Sequence, residues 1–134
     1  MRKAMTVGQL AEAAGVGVET VRYYQRRGLL TTPAKPLAGR RNYGDDALEQ
    51  IMFIRRAQQL GFSLQEIAGL LEIADGRGCA TGRAMAQGKV DELTERIAEL
   101  ERMRRKLRTA VKACDANPRG APCPFIASLK ADEP

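Results

Sequence analysis

The fold of this 134-residue chain is decided by residues 79–123, whose sequence is CATGRAMAQGKVDELTERIAELERMRRKLRTAVKACDANPRGAPC. All three cysteines of the chain lie in this stretch, at Cys79, Cys114 and Cys123. Apolar residues recur in it at alternating spacings of three and four, which is the heptad repeat of a coiled coil. The repeat consists of Val90, Leu93, Ile97, Leu100, Leu107, Val111 and Cys114, with Arg104 as its one polar member. The pattern predicts a long helix over residues 81–113.

This predicted helix needs a partner, because no other segment of the chain is long enough to cover its apolar face. A second copy of the chain is the simplest partner. Residues 89–101 carry five acidic and two basic side chains, whereas residues 102–112 carry six basic side chains and no acidic one. An antiparallel pair lays the basic half on the acidic half, while a parallel pair stacks like charges. The sequence therefore predicts a homodimer joined by an antiparallel coiled coil.

The same helix separates the cysteines within one chain. Cys79 and Cys114 are 35 positions apart, which is on the order of 50 Å if the segment is helical. In an antiparallel dimer, however, the start of one helix lies beside the end of the other. Cys114 and Cys123 are close in sequence and are joined by a loop rich in proline and glycine, so they can converge. The predicted metal site combines Cys79 of one chain with Cys114 and Cys123 of its partner, giving two sites per dimer.

Three thiolates without histidine favour a soft metal ion. A structural zinc site normally has four ligands, so zinc would need Asp115 or water as the fourth. Pro124 is expected to begin a short final helix with Cys123 at its N-cap, where the helix end lowers a thiol pKa. The alternative is that the three cysteines are incidental. That alternative is weaker because charge and heptad spacing bring the three together independently.

The first part of the chain has the pattern of a helix-turn-helix. Thr6 and Gln9 form a capping box before a first helix, and a second helix is predicted over residues 18–26, ended by Gly28. A third helix is expected from Asp45 or Asp46 and a fourth from the capping box at Ser63. The predicted organisation lists a DNA-binding domain at 1–72 (helix-turn-helix 6–28, wing 29–43), a linker at 73–80, a dimerisation helix at 81–113, and a metal-binding loop with a C-terminal helix at 114–134.

Charge points this domain toward DNA. Residues 22–41 contain six basic side chains and no acidic one, and the second helix of a helix-turn-helix enters the major groove. The predicted DNA contacts are Glu19, Thr20, Arg22, Tyr23, Arg26, Arg40, Arg41 and Tyr43. The alternative is an ordinary solvated basic face on a small helical domain.

Other functions are disfavoured by what the sequence lacks. It has no histidine, no Cys-x-x-Cys motif and no glycine-rich dinucleotide motif, so we do not expect an enzyme. It has no apolar run near the length of a transmembrane helix and no apolar signal core after the first residues. A cytoplasmic protein without a membrane partner is therefore expected.

The chain resembles the MerR family along essentially its whole length. The matching stretches are TVGQLA (6–11), VETVRYYQRRGLL (18–30), the wing pattern GRRNY (39–43) and LGFSLQEI (60–67). The resemblance implies a mainly α fold: a winged helix-turn-helix domain, a long antiparallel coiled-coil dimerisation helix and a short C-terminal metal-binding segment. It also implies promoter DNA and RNA polymerase as partners, with repression in the apo form.

The cysteine spacing and the segment CPFIASL (123–129) are similar to the mercury-responsive members of that family. This resemblance implies three-coordinate Hg(II), bound by Cys79, Cys114 and Cys123 across the dimer interface. Binding would convert the repressor into an activator by distorting the promoter DNA. Lead, cadmium or zinc sensing by the same architecture is the alternative, as is a sensor of oxidants.

Overall fold

The structure, a computed structural model, describes residues 4–33 and 43–131. The helices found in these ranges are α1 (Val7–Ala14), α2 (Val18–Arg26), α3 (Asp45–Gln59), α4 (Leu64–Glu72), α5 (Cys79–Asp115) and α6 (Pro124–Lys130). Within the same ranges, β-type pairing is limited to an isolated antiparallel bridge between Met5 and Tyr43. The mainly helical fold class expected from the sequence is confirmed. Most of the predicted wing, residues 34–42, lies outside the described part of the chain.

The chain divides into two compact units, Met1–Ala86 and Gln87–Pro134. The first unit contains the hydrophobic core, in which α1 packs against α2 and α3, and α3 packs against α4. The buried core residues are Leu10, Ala11, Ala14, Val21, Tyr24, Leu29, Leu30, Tyr43, Ile51, Ile54, Ala57 and Ile67. Arg55 ties α3 to the end of α1, because its Nη1 donates to the carbonyl oxygen of Ala14 at 2.9 Å.

Local capping chemistry sets the ends of the first helices. The Thr6 hydroxyl accepts from the backbone N–H of Gln9 at 3.2 Å, and the Gln9 side chain accepts from the Thr6 N–H at 2.9 Å. Ser63 and Glu66 form the same reciprocal pair at the start of α4. Both predicted capping boxes are therefore confirmed, and each satisfies two N–H groups that a helix start leaves without intrahelical partners.

Helix α5 begins earlier than the sequence predicted. It starts at Cys79 instead of residue 81, and the carbonyl of Gly78 accepts from the N–H of Gly82 at 2.8 Å. The reason is packing: a Cβ at Gly78 would lie 2.6 Å from Cγ2 of Ile73, so only glycine lets the chain turn this tightly past Ile73. The first turns of α5 belong to the first compact unit, which extends to Ala86.

The second unit holds the remainder of α5 and α6. The aliphatic side chains of the heptad repeat are exposed in the single chain, with exposed fractions from 41% at Leu93 to 59% at Val111, while Cys114 is half-buried. After Asp115 the chain turns back through a loop in which Asn117 Nδ2 donates to the carbonyls of Ala121 and Pro122. Helix α6 then begins at Pro124 with Cys123 as its N-cap, as predicted. No helix among the described residues has the length and apolar character needed to span a membrane.

Candidate metal centre and DNA interface

Two of the three cysteines meet at one end of α5. Cys114 lies in the last turn of α5, and Cys123 precedes the first residue of α6. Their Sγ atoms are 3.5 Å apart, and both thiols are free. The loop between them is closed by the hydrogen bonds of Asn117, which hold the chain in its turn. The structure therefore brings Cys114 and Cys123 together as a pair of converging sulfur donors.

The position of Cys123 favours its thiolate. The pKa of Cys123 is lowered from the ordinary cysteine value, first by the backbone N–H of Ile126 and then by the Cys114 thiol. The N–H of Phe125 acts in the same direction, while slight desolvation by neighbouring atoms opposes it. These N–H groups are free because the first turn of a helix has no intrahelical acceptors for them. A thiolate is the form that binds metal, so Cys123 is prepared as a ligand.

Cys79 does not join this pair within the chain. It is exposed and is the first residue of α5, whereas Cys114 lies in the last turn of the same continuous helix. Among the described residues of the single chain, no three His, Cys, Asp or Glu side chains are grouped closely enough to hold a metal ion. Asp115 therefore does not complete a site with Cys114 and Cys123. The donor set fits a soft ion, since it consists of sulfur and includes a thiol of lowered pKa.

The predicted DNA contacts on α2 lie on the side of the helix away from the core. Val21 and Tyr24 are buried. The opposite side carries Glu19, Arg22, Tyr23 and Arg26, which are exposed, and Thr20, which is half-buried. The guanidinium groups of Arg26 and Arg27 lie 5.8 and 5.9 Å from the centre of the Tyr23 ring. Arg27 was absent from the predicted contacts. Its position four residues after Tyr23, one helical turn on, was the signal that could have identified it.

The wing residues have different outcomes. Arg40 and Arg41 lie outside the described residues. Tyr43 is only 2% exposed, and its backbone exchanges two hydrogen bonds with Met5, at 2.8 and 2.7 Å. Its hydroxyl accepts from Nε2 of Gln25 at 2.8 Å. Tyr43 therefore packs into the core and braces α2, and its predicted contact with DNA stays a prediction.

A helix-turn-helix unit followed by a long helix with an exposed apolar face defines a class of DNA-binding transcription regulator. The chain matches the MerR HTH family regulatory protein over residues 5–73 and the MerR DNA-binding region over residues 48–110. It belongs to the MerR family, which consists of transcription regulators and not of enzymes. The family expected from the sequence is thereby confirmed.

Known relatives and structures agree with this assignment. The chain is 44% identical over 128 residues to the mercuric resistance operon regulatory protein of Shigella flexneri, covering 96% of this chain and 89% of that protein. Its fold is similar to that of a lead(II)-bound transcription regulator from Ralstonia metallidurans, with a TM-score of 0.80, 31% identity, and coverage of 93% and 98%. It is also similar to MerR from Bacillus megaterium bound to mercury(II), with a TM-score of 0.72, 31% identity, and coverage of 95% and 100%.

Proposed function

We propose that this chain is the mercury-responsive regulator of a mercuric resistance operon. The observation that carries the proposal is the 3.5 Å approach of the Cys114 and Cys123 sulfurs at one end of the helix that begins with Cys79. Each helix carries two thiols at one end and the third at the other. When two such helices pair antiparallel, the third thiol of one chain lies beside the two thiols of its partner, and a three-thiol site is complete. Similarity to mercuric resistance regulators over most of the chain supports mercury as the metal.

The proposed dimer forms through the exposed heptad face of α5. In the single chain this apolar face is exposed to water, so its burial by a second copy is favourable. In the antiparallel arrangement Cys79 of each chain reaches Cys114 and Cys123 of the other. Bound Hg(II) would link the two chains through three thiolates. The chain contributes the geometry and the lowered pKa of Cys123.

The DNA-binding half of the proposal places α2 in the major groove of a promoter, with Arg22 and Arg26 as the main cationic contacts. RNA polymerase is the expected partner at the same promoter. Work on promoter DNA implies a cytoplasmic location. Arg40 and Arg41 are retained as proposed contacts of the wing with the DNA backbone.

The proposed switch couples the metal site to the DNA-binding helices through the start of α5. Cys79 directly follows Gly78, which packs against Ile73 at the end of α4. A displacement of Cys79 on metal binding is therefore passed to α4 through a tight contact. For the metal to change transcription, it must bind one pose of the DNA-binding domains more tightly than the other. The apo pose represses, and the metal-bound pose distorts the promoter and activates it.

Metal titration of the purified dimer tests this function. We expect one Hg(II) per chain, thiolate-to-metal absorption, and tighter binding of mercury than of lead, cadmium or zinc. Serine at any of Cys79, Cys114 or Cys123 should abolish three-thiolate binding, whereas the control Ser128→Ala on α6 should not. Mercury binding no tighter than zinc binding would overturn mercury as the effector and favour the alternative metals. Induction that survives all three serine variants would overturn metal sensing.

Mixing two defective chains tests whether the site is shared between chains. A homodimer of C79S and a homodimer of C114S/C123S should each lack a complete site. A mixed dimer regains one complete site, since Cys79 of the second variant meets Cys114 and Cys123 of the first. Recovery of the thiolate absorption at half the wild-type amount per dimer is expected. No recovery in a verified mixed dimer would contradict a shared site.

A further inference from the structure

The heptad repeat of α5 restricts how two antiparallel copies can align. Positions a are Val90, Ile97, Arg104 and Val111, and positions d are Leu93, Leu100, Leu107 and Cys114. In an antiparallel pair an a residue meets a d residue of the partner, so allowed alignments differ by whole heptads. In the central register Ile97 lies opposite the partner's Leu100. In the N-shifted register Ile97 lies opposite the partner's Leu93, and in the C-shifted register it lies opposite the partner's Leu107.

We propose that two copies of this chain pair in the central register, and that charges flanking the apolar face exclude both shifted registers. The inference rests on the antiparallel dimer of the proposed function. The charged side chains that decide the register, Arg96, Glu101 and Arg104, are exposed on the single chain and are therefore available to face a second copy. Apolar contacts alone do not favour the central register over the C-shifted one. Each register forms two contacts between aliphatic a and d residues, and the twofold symmetry of the dimer repeats both contacts.

The flanking charges do separate the registers. In an antiparallel pair, e positions face e positions and g positions face g positions. The N-shifted register places Arg96 opposite the partner's Arg96, and the C-shifted register places Glu101 opposite the partner's Glu101. In the central register Arg96 faces the partner's Met103, and Glu101 faces the partner's Thr94. Like charges held opposite each other oppose pairing, so each shifted register carries a repulsion that the central register lacks.

Arg104, the polar member of the apolar face, acts in the same direction. In the C-shifted register the two copies of Arg104 lie four residues apart along the pair, about 6 Å of helix rise. In the central register they are eleven residues apart, about 16 Å, and each lies opposite the partner's Leu93. A single polar residue in a coiled-coil seam commonly determines its register.

The cysteines agree with this choice. In the central register the partner's Cys114 lies opposite Arg83, which is four residues, or about 6 Å of rise, from Cys79. In the C-shifted register it lies opposite Val90, which is eleven residues, or about 16 Å, from Cys79. Thiolates that share one ion cannot be separated by that distance, because metal–sulfur bonds are about 2.3 Å long. The central register is thus the one that satisfies both the charges and a shared thiolate site.

Disulfide trapping tests the register in a chain whose Cys79, Cys114 and Cys123 are replaced by serine. The reporter pairs are L93C/R104C for the central register, V90C/L100C for the N-shifted register and L93C/V111C for the C-shifted register. Each pair is ten or more residues apart, about 15 Å or more on a helix, so it cannot close within one chain. Oxidised glutathione accepts the two electrons and two protons released by each disulfide. We expect L93C/R104C to shift to the dimer mass on non-reducing gels, while the other two stay monomeric.

Two further variants keep this test decisive. V90C/L107C also reports the central register and leaves Arg104 in place. It therefore shows whether replacing Arg104 in L93C/R104C has itself changed the pairing of the helices. The single variant L93C forms a covalent dimer only if the helices are parallel. Trapping of either shifted pair, or of L93C alone, in preference to both central pairs would overturn the proposal. The chain used for trapping lacks the three metal ligands, so its result is independent of the mercury titration. A wrong register would not contradict mercury binding, and a failed titration would not contradict the register.

Discussion

Cys123 occupies a place where a thiol is met by hydrogen-bond donors from two directions. The first turn of α6 supplies the N–H groups of Ile126 and Phe125, and the end of α5 supplies the Cys114 thiol. Pro124 at the first helical position starts the helix without wasting a donor, because proline has no N–H. A seven-residue helix therefore suffices to change the acid–base chemistry of the residue before it.

Removing the Cys114 thiol should raise the pKa of Cys123. The pKa of Cys123 is depressed, so its thiolate persists to lower pH than in an ordinary cysteine, and Cys114→Ala deletes one cause of that depression. We expect the pH midpoint for alkylation of Cys123 by iodoacetamide, followed by peptide mass spectrometry, to move upward. The α6 control Ser128→Ala keeps the Cys114 thiol beside Cys123 and should leave the midpoint in place. An unchanged midpoint in Cys114→Ala would refute the role of the thiol.

Two glycines near the start of α5 have different surroundings. Gly78, immediately before the helix, faces Ile73 so closely that a Cβ would lie 2.6 Å from Cγ2 of that residue. Gly88, inside the helix, has no atom within 4 Å of the place where a Cβ would stand. The first glycine is needed for the junction between α4 and α5. The second only weakens the helix, because glycine is a poor helix former.

Alanine at these two positions should change stability in opposite directions. Gly88→Ala should raise the free energy of unfolding by up to about 1 kcal/mol through better helix propensity. Gly78→Ala should lower it by about 1–3 kcal/mol, since the new methyl group overlaps Ile73 and the junction must shift. Urea denaturation followed by circular dichroism, at one fixed protein concentration, measures both. A Gly78→Ala variant as stable as the wild type would contradict the tight contact.

At the scale of the whole molecule, the two units differ in how they are stabilised. Within the part of the chain that the structure describes, the first unit has a core of twelve buried residues. The second unit exposes its largest apolar side chains in the single chain, among them Ile97 at 57% and Leu107 at 52%. In the proposed dimer, a second copy would cover these side chains and stabilise the second unit. In the proposed function, dimerisation and metal binding therefore depend on the same surface.

A charge placed in the apolar face of α5 should separate the dimer without unfolding the first unit. In Ile97→Asp the carboxylate would have to be buried without a pairing cation, which is strongly unfavourable. We expect analytical ultracentrifugation to show the monomer mass, with loss of mercury binding, while the amides of the buried core keep their protection from hydrogen exchange. The neighbouring control Ala98→Asp adds the same charge at an outward heptad position and should remain dimeric. A dimeric Ile97→Asp protein would refute the seam.

Short-range patterns predicted the helix caps, whereas features that depend on packing between elements were not predicted. The caps at Thr6 and Ser63 and the start of α6 follow from residues within three positions of each other. The start of α5 at Cys79 depends on how Ile73 packs over Gly78, which no propensity contains. Tyr43 matched a wing motif in the sequence, yet its burial comes from pairing with Met5, far away along the chain.

The sequence by itself determined the family, the mainly helical architecture, the heptad repeat, and the cysteines at the two ends of one helix and in the loop beyond it. These features are periodicities and residue identities, and they do not depend on how the chain folds back on itself. Only the tertiary structure decided that the Cys114 and Cys123 sulfurs approach to 3.5 Å, that the Cys114 thiol helps to lower the pKa of Cys123, and that Tyr43 lies in the core. Each of these results depends on the path of a loop or on a contact between separate elements. Such geometry is set by the sum of many packing interactions and not by any local pattern.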